Sequence, residues 1–130
     1  MTSNDPAPKP VPGTIGWTDV TLMDAPRMRD FYADVVGWTA EGLSMGDYED
    51  YVMKAADGAP VAGVCHARGV NADVPPVWLI YVHVADLEAS VERAQAGGGR
   101  VLVAPRGAGG GRMAVIADPA GTVLGLYQAS

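Results

Sequence analysis

The sequence predicts an α+β fold built from two tandem β-α-β-β-β modules, and three observations predict it. The chain repeats itself at an offset of 62 residues, from Asp24 to Asp86. Asp24-Ala25-Pro26-Arg27-Met28-Arg29-Asp30-Phe31-Tyr32 runs on to Gly37, and Asp86-Leu87-Glu88-Ala89-Ser90-Val91-Glu92-Arg93-Ala94 runs on to Gly99. A short apolar strand precedes each copy, Trp17 to Met23 before the first and Trp78 to Ala85 before the second. Val61-Ala62-Gly63-Val64 is matched at the same offset by Val123-Leu124-Gly125-Leu126. Such self-similarity marks two copies of one supersecondary unit, each with an apolar face to bury against the other.

Each element has a local reason. Residues 1–12 hold four prolines and little apolar bulk, so they read as a flexible or extended tail. Residues 14–23 alternate as a strand does. Asp24 is placed to cap a helix that tolerates Pro26 in its first turn. Met28, Phe31, Tyr32 and Val35 recur at helical spacing on one face, and Gly37 ends the run. Three short strands follow, around 38–41, 48–55 and 59–66, the last two separated by a turn at Asp57-Gly58. Residues 67–76 read as a linker rich in Gly, Asn, Asp and Pro. The pattern then returns: a strand at 77–85, a helix at 87–96, a Gly97-Gly98-Gly99 break, and strands near 100–104, 112–117 and 122–128. The domain organisation expected is the tail at 1–12 and a single domain at 13–130, with modules at about 14–66 and 77–128.

Composition narrows the function classes. A chain of 130 residues with 48% hydrophobic and 18% charged residues has the make-up of one globular domain. Its net charge of −6 and pI of about 4.6 offer no basic footprint for nucleic acid or an anionic membrane. No apolar run approaches the ~20 residues of a membrane helix, and the N-terminus lacks a signal-peptide pattern. One cysteine, Cys65, excludes an intrachain disulfide framework, so a cytoplasmic location is expected.

Several residues form a recognisable constellation. They are Asp24 with Phe31-Tyr32 and Gly37-Trp38 in the first half, then Asp86 with Gly98-Gly99, Gly111-Arg112 and Asp118-Pro119-Ala120-Gly121 in the second. With the duplication, this pattern resembles the vicinal oxygen chelate superfamily, which includes glyoxalase I, extradiol dioxygenases and bleomycin resistance proteins. The resemblance covers residues 14–128 and implies a homodimer. It also implies metal ligands on the first and last strands of each module, at positions held here by Trp17, Leu79, Gly63 and Gly125. None has a side chain that binds a divalent ion. The expectation is therefore the metal-free branch, with no metal and no cofactor.

Strand alternation assigns the faces of the resulting cleft. If Trp17 faces it, so do Asp19 and Thr21, then Leu79, Tyr81 and His83, and on the closing strands Val61, Gly63 and Cys65 with Val123, Gly125 and Tyr127. This gives aromatic walls, two glycine floor positions and few polar groups, as in a small-molecule site. The candidate ligand-binding set is Trp17, Asp19, Gly63, Leu79, Tyr81, His83, Gly125 and Tyr127. The aromatic residues equally suit a filled core. His83 and Asp19 are the candidate acid–base pair, or alternatively polar anchors. Cys65 and His66 are adjacent in a strand and point to opposite faces, so a nucleophile pair is not expected. His66 with His83 lacks a third ligand for a metal. Gly107-Ala108-Gly109-Gly110-Gly111-Arg112 precedes a strand, not a helix, and so reads as a mobile loop over the cleft with Arg112 at its base rather than a phosphate cradle. Glu88, Glu92 and Arg93 read as a solvated helix face.

The fold expected is an open, cup-like mixed sheet with the helices on its outer face. The function expected is metal-independent binding of a small hydrophobic or aromatic molecule. The alternative is a lyase, isomerase or dioxygenase-like enzyme with an atypical site; a cleft filled by its own side chains is a third outcome.

Overall fold

The computed structural model describes residues 9–130. Of the tail expected over residues 1–12, the first eight lie outside the described residues. The first module comprises β1 (Ile15–Leu22), α1 (Ala25–Val36), β2 (Thr39–Ser44), β3 (Glu49–Lys54) and β4 (Pro60–His66). The second comprises β5 (Trp78–His83), α2 (Leu87–Ala96), β6 (Arg100–Ala108), β7 (Gly111–Ala117) and β8 (Val123–Ala129). All eight strands form one mixed sheet in the order β2-β3-β4-β1-β5-β8-β7-β6. Within each module the first and last strands run parallel, β1 with β4 and β5 with β8; every other pairing is antiparallel. The modules meet where β1 pairs with β5.

The helices begin and end where their capping residues stand. The Asp24 carboxylate accepts from the backbone N–H of Arg27 at 3.3 Å, and that of Asp86 accepts from Ala89 at 3.1 Å. Gly37 closes α1 at φ +85°, a left-handed conformation that suits glycine. Both helices pack on the outer face of the sheet. Ala25, Met28 and Tyr32 of α1 meet Val20, Met53, Ala62 and Val64, while Leu87 and Val91 of α2 meet Ala114 and Leu126. The inward stripe of α1 is narrower than the spacing suggests, for Phe31 and Val35 stay exposed. Trp78 and Ile80 of β5, on the same side, are only partly covered.

Two expectations are corrected. The glycine-rich stretch is no mobile loop: β6 extends to Ala108 and β7 starts at Gly111, with Gly107 opposite Arg112 and Ala108 opposite Gly111. Gly109 turns the hairpin at φ +56°. Arg112 does not stand at the base of a flap, since it lies on the outer side and pairs with Glu88 of α2. Glu88 is therefore an ion-pair partner as well as a solvated residue. The segment at 67–76 is more than a linker: it holds a 3-10 turn at Gly69–Asn71 and buries Val74 in the second module.

On the concave face of the second module, Leu79 is fully buried with Val74, Tyr81, Val103, Met113 and Val115. Leu79→Ala would leave a cavity the surrounding strands cannot close, and is expected to cost about 2–5 kcal/mol. Urea denaturation of the variant checks this.

Candidate functional site

The strand register builds the site. Trp17 stands opposite Tyr81 across β1 and β5, Asp19 beside Gly63 and Thr21 beside Cys65 across β1 and β4. On the other flank Tyr81 stands beside Gly125 and His83 beside Tyr127. Because side chains alternate, alternate residues of four central strands converge on the concave face. They enclose an open cavity of about 530 Å³, a size suited to a small organic ligand. The hairpin residues 106–109, Met113, and Val70-Asn71 from the 3-10 turn complete one wall; Leu43, Met45, Asp50 and Val52 form the opposite one.

Of the eight candidate residues, Trp17, Asp19, Gly63, Tyr81, His83 and Tyr127 line this cavity, and Leu79 and Gly125 do not. Leu79 lies beneath it in the apolar cluster. The ring of Tyr81 lies directly over Gly125, where any Cβ would collide with it. Thr21 is buried outside the lining, whereas Cys65 is in it. The two glycines expected to share a floor thus differ: Gly63 alone faces the cavity, beside the Asp19 Cβ, with the Trp17 Nε1 3.6 Å from where its own Cβ would stand.

Burial governs the electrostatics. It raises the Asp19 carboxyl to a pKa of about 6; hydrogen bonding from Tyr81 and Trp17 favours the charged form but does not compensate, and nearby Asp50 adds to the rise. Oδ1 of Asp19 and Nδ1 of His83 are buried without a hydrogen-bond partner among the described residues. Desolvation, with the charges of Asp19 and Asp50 next, pushes the Cys65 thiol far above its usual range, so it is not poised as a nucleophile at neutral pH. Tyr81 rises for the same reasons, burial first and Asp19 second. The His83 ring meets Tyr127 edge-on at 5.8 Å between centroids and covers Gly16, where β1 bulges out of register with β5.

Lining residues that escape the sequence reading include Gly16, Asp50, Asn71 and Arg106. Asp50 is buried and accepts from the His66 backbone N–H at 2.8 Å, with His66 Nδ1 at 3.4 Å. Alternation along β3 would have reached it, since Val52 stands opposite Gly63. Arg106 donates from Nη2 to Asn71 Oδ1 at 2.9 Å and from Nε to Met113 Sδ at 3.3 Å. No local signal marks it, because the register of β6 shifts between Val103 and Arg106.

The four positions where the resemblance implies metal ligands do not fit a metal. Trp17 and Leu79 carry no donor for it, Gly125 is covered by Tyr81, and Gly63 has no side chain. Among the described residues, no group of three or more His, Cys, Asp or Glu is placed to hold one.

Comparison with known proteins agrees on the fold. Residues 14–126 match the family model of the Glyoxalase/Bleomycin resistance protein/Dioxygenase superfamily. The Mycobacterium bovis protein named "Putative glyoxylase CFP32" is 33% identical over 121 residues, covering 91% of this chain and 46% of that protein. The anthracycline biosynthesis protein DnrV of Streptomyces peucetius is 32% identical over 130 residues, covering 90% of this chain and 47% of that one. The chain therefore spans about half the length of the curated relatives it matches. Among solved structures, methylmalonyl-CoA epimerase from Mycobacterium tuberculosis superposes with a TM-score of 0.55 at 18% identity, covering 91% of this chain and 88% of that one. A superfamily member from Vibrio splendidus does so with a TM-score of 0.55 at 14% identity, covering 88% and 99%. At such identities the likeness shows the fold alone.

The raised Asp19 carboxyl has a consequence for stability. Its folded pKa of about 6 lies above the ordinary 3.8, so the native state favours the protonated form. That contribution is complete below about pH 4 and is lost as pH rises through about 6. Asp19→Asn keeps the shape and removes the charge. It is expected to be more stable than the parent at pH 8, by at most about 3 kcal/mol, with the difference vanishing near pH 4. Thermal melts of both proteins across this range check it.

Proposed function

Since the chain belongs to the glyoxalase/bleomycin resistance protein/dioxygenase superfamily, we propose that it acts as a metal-independent binding protein for a small hydrophobic or aromatic molecule. The observation that carries this reading is the cavity of about 530 Å³, walled by Trp17, Tyr81 and Tyr127 and holding two buried polar atoms without partners among the described residues. Aromatic walls supply apolar contact at low conformational cost, and the waiting polar atoms fix a ligand's orientation. Binding needs no further group from the protein. A homodimer is part of the proposal; the exposed apolar side chains Phe31, Val35, Trp78 and Ile80 on the outer face support it. Light scattering tests that point.

A second reading is an enzyme without metal. Asp19, half-ionised near pH 6, and the free Nδ1 of His83 line one cavity and are chemically suited to pass a proton. Conversion of a bound molecule, lost in His83→Ala while binding persists, would bring this reading forward.

Two measurements test the binding reading. Native mass spectrometry of the purified protein with elemental analysis is expected to find a retained small molecule and no stoichiometric metal. Calorimetry with 2-naphthol as an aromatic probe is expected to show binding that Gly63→Val weakens at least tenfold, because a side chain there enters the cavity. Failure of every aromatic probe to bind would sink the binding reading.

A further inference from the structure

We propose that Arg106 makes the cavity selective for an acidic ligand, namely a planar aromatic acid whose carboxylate rests on the guanidinium while its ring lies against the aromatic walls. The inference rests on the small-molecule reading above and deepens it.

Arg106 is the cation whose surroundings do not account for it. Arg29, Lys54, Arg68 and Arg112 each pair with an acidic side chain. Lys9, Arg27, Arg93 and Arg100 are exposed to water. Arg106 is mostly withdrawn from solvent, lines the cavity and has no carboxylate in ion-pair contact among the described residues. Its two contacts are a neutral amide oxygen on Asn71 and the thioether of Met113. Both orient the guanidinium, and neither neutralises it. A partly desolvated charge in that condition favours any anion that reaches it, and a planar fork of N–H donors suits a carboxylate best.

The rest of the cavity sets the kind of anion. Asp19 and Asp50 line the same cavity, so a multiply charged group such as a phosphate would meet repulsion that a single carboxylate on an apolar body largely avoids. Trp17 and Tyr127 offer aromatic surface, and Gly63 lets a flat ring approach the backbone. The turn bearing Val70 and Asn71 places the residue that orients Arg106 beside the cavity mouth.

The test uses 2-naphthoic acid and its methyl ester, which differ in charge and little in shape, titrated into the full chain by calorimetry at pH 7.5. The acid is expected to bind roughly ten- to hundredfold more tightly than the ester. Arg106→Met should abolish that ratio by weakening the acid alone, and Arg106→Lys should retain part of it. Equal binding of acid and ester to the parent protein would overturn the role of Arg106 while leaving the cavity a binding site. Equal weakening of both by Arg106→Met would reduce Arg106 to a structural part of the wall and overturn it too. If neither compound binds, the small-molecule reading falls and this inference with it. The comparison of acid with ester on the parent protein needs no variant to fold.

Discussion

The antiparallel pairing of β1 with β5 is the constraint on which the rest of the molecule depends. Taken alone, each module would leave its first strand as an open sheet edge, with unpaired backbone groups and an apolar face in water. Joining the two edges removes both and places the first strands of both modules at the centre of one sheet. The Thr18 hydroxyl adds a bond across the seam to the Leu79 carbonyl at 2.9 Å. The bulge at Gly16 bends the strand at the end of that seam, which lets the His83 ring lie over it. Trp17, Asp19, Tyr81 and His83 share one cavity because of this pairing, although more than 60 positions separate the two pairs along the chain.

The halves repeat in backbone and diverge in chemistry, and the divergence makes the two sides of the cavity unlike. Asp19 and Tyr81 occupy equivalent places beside equivalent glycines, Gly63 and Gly125. Tyrosine is long enough to lie back across its glycine, and with Leu79 it fills the concave side of the second module. Aspartate is short and leaves Gly63 facing the cavity. A two-fold repeat thus yields a shared cavity whose two sides differ in chemistry. Its acidic groups come from the first module and its cation from the second.

The fold was largely legible because its signals are local and occur twice. Asp24 and Asp86 mark both helix starts, Gly37 ends the first helix, and alternation along β1 and β5 assigns the faces. Six candidate residues line the cavity for that reason. What could not be read depends on how distant segments meet. Gly125 looks equivalent to Gly63 until the ring of Tyr81 is placed. Arg106 follows a register shift that carries no mark in the sequence, and its orienting partner Asn71 lies 35 residues away in what reads as a linker. The hairpin at Gly109 reads as loose because glycines permit freedom, whereas strand pairing on both sides uses them to turn.

The separation of charge within the cavity is more informative than any one of its groups. Tyr81 stands between the two poles: Asp19 raises the proton affinity of its hydroxyl, and Arg106 lowers it. Both charges therefore reach the same point, yet they do not pair with each other. Direct neutralisation would stabilise the empty protein and leave an electrically bland cleft. Left unpaired, the charges leave Asp19 destabilised by burial and Arg106 without a counterion among the described residues, so both are available to act on a ligand in the proposed role. Under the proposed binding role, a ligand with unlike ends would be oriented by the field before shape complementarity takes effect. In that role the aromatic walls would contribute affinity to any flat molecule, and the separated poles would determine which end of it goes in which direction.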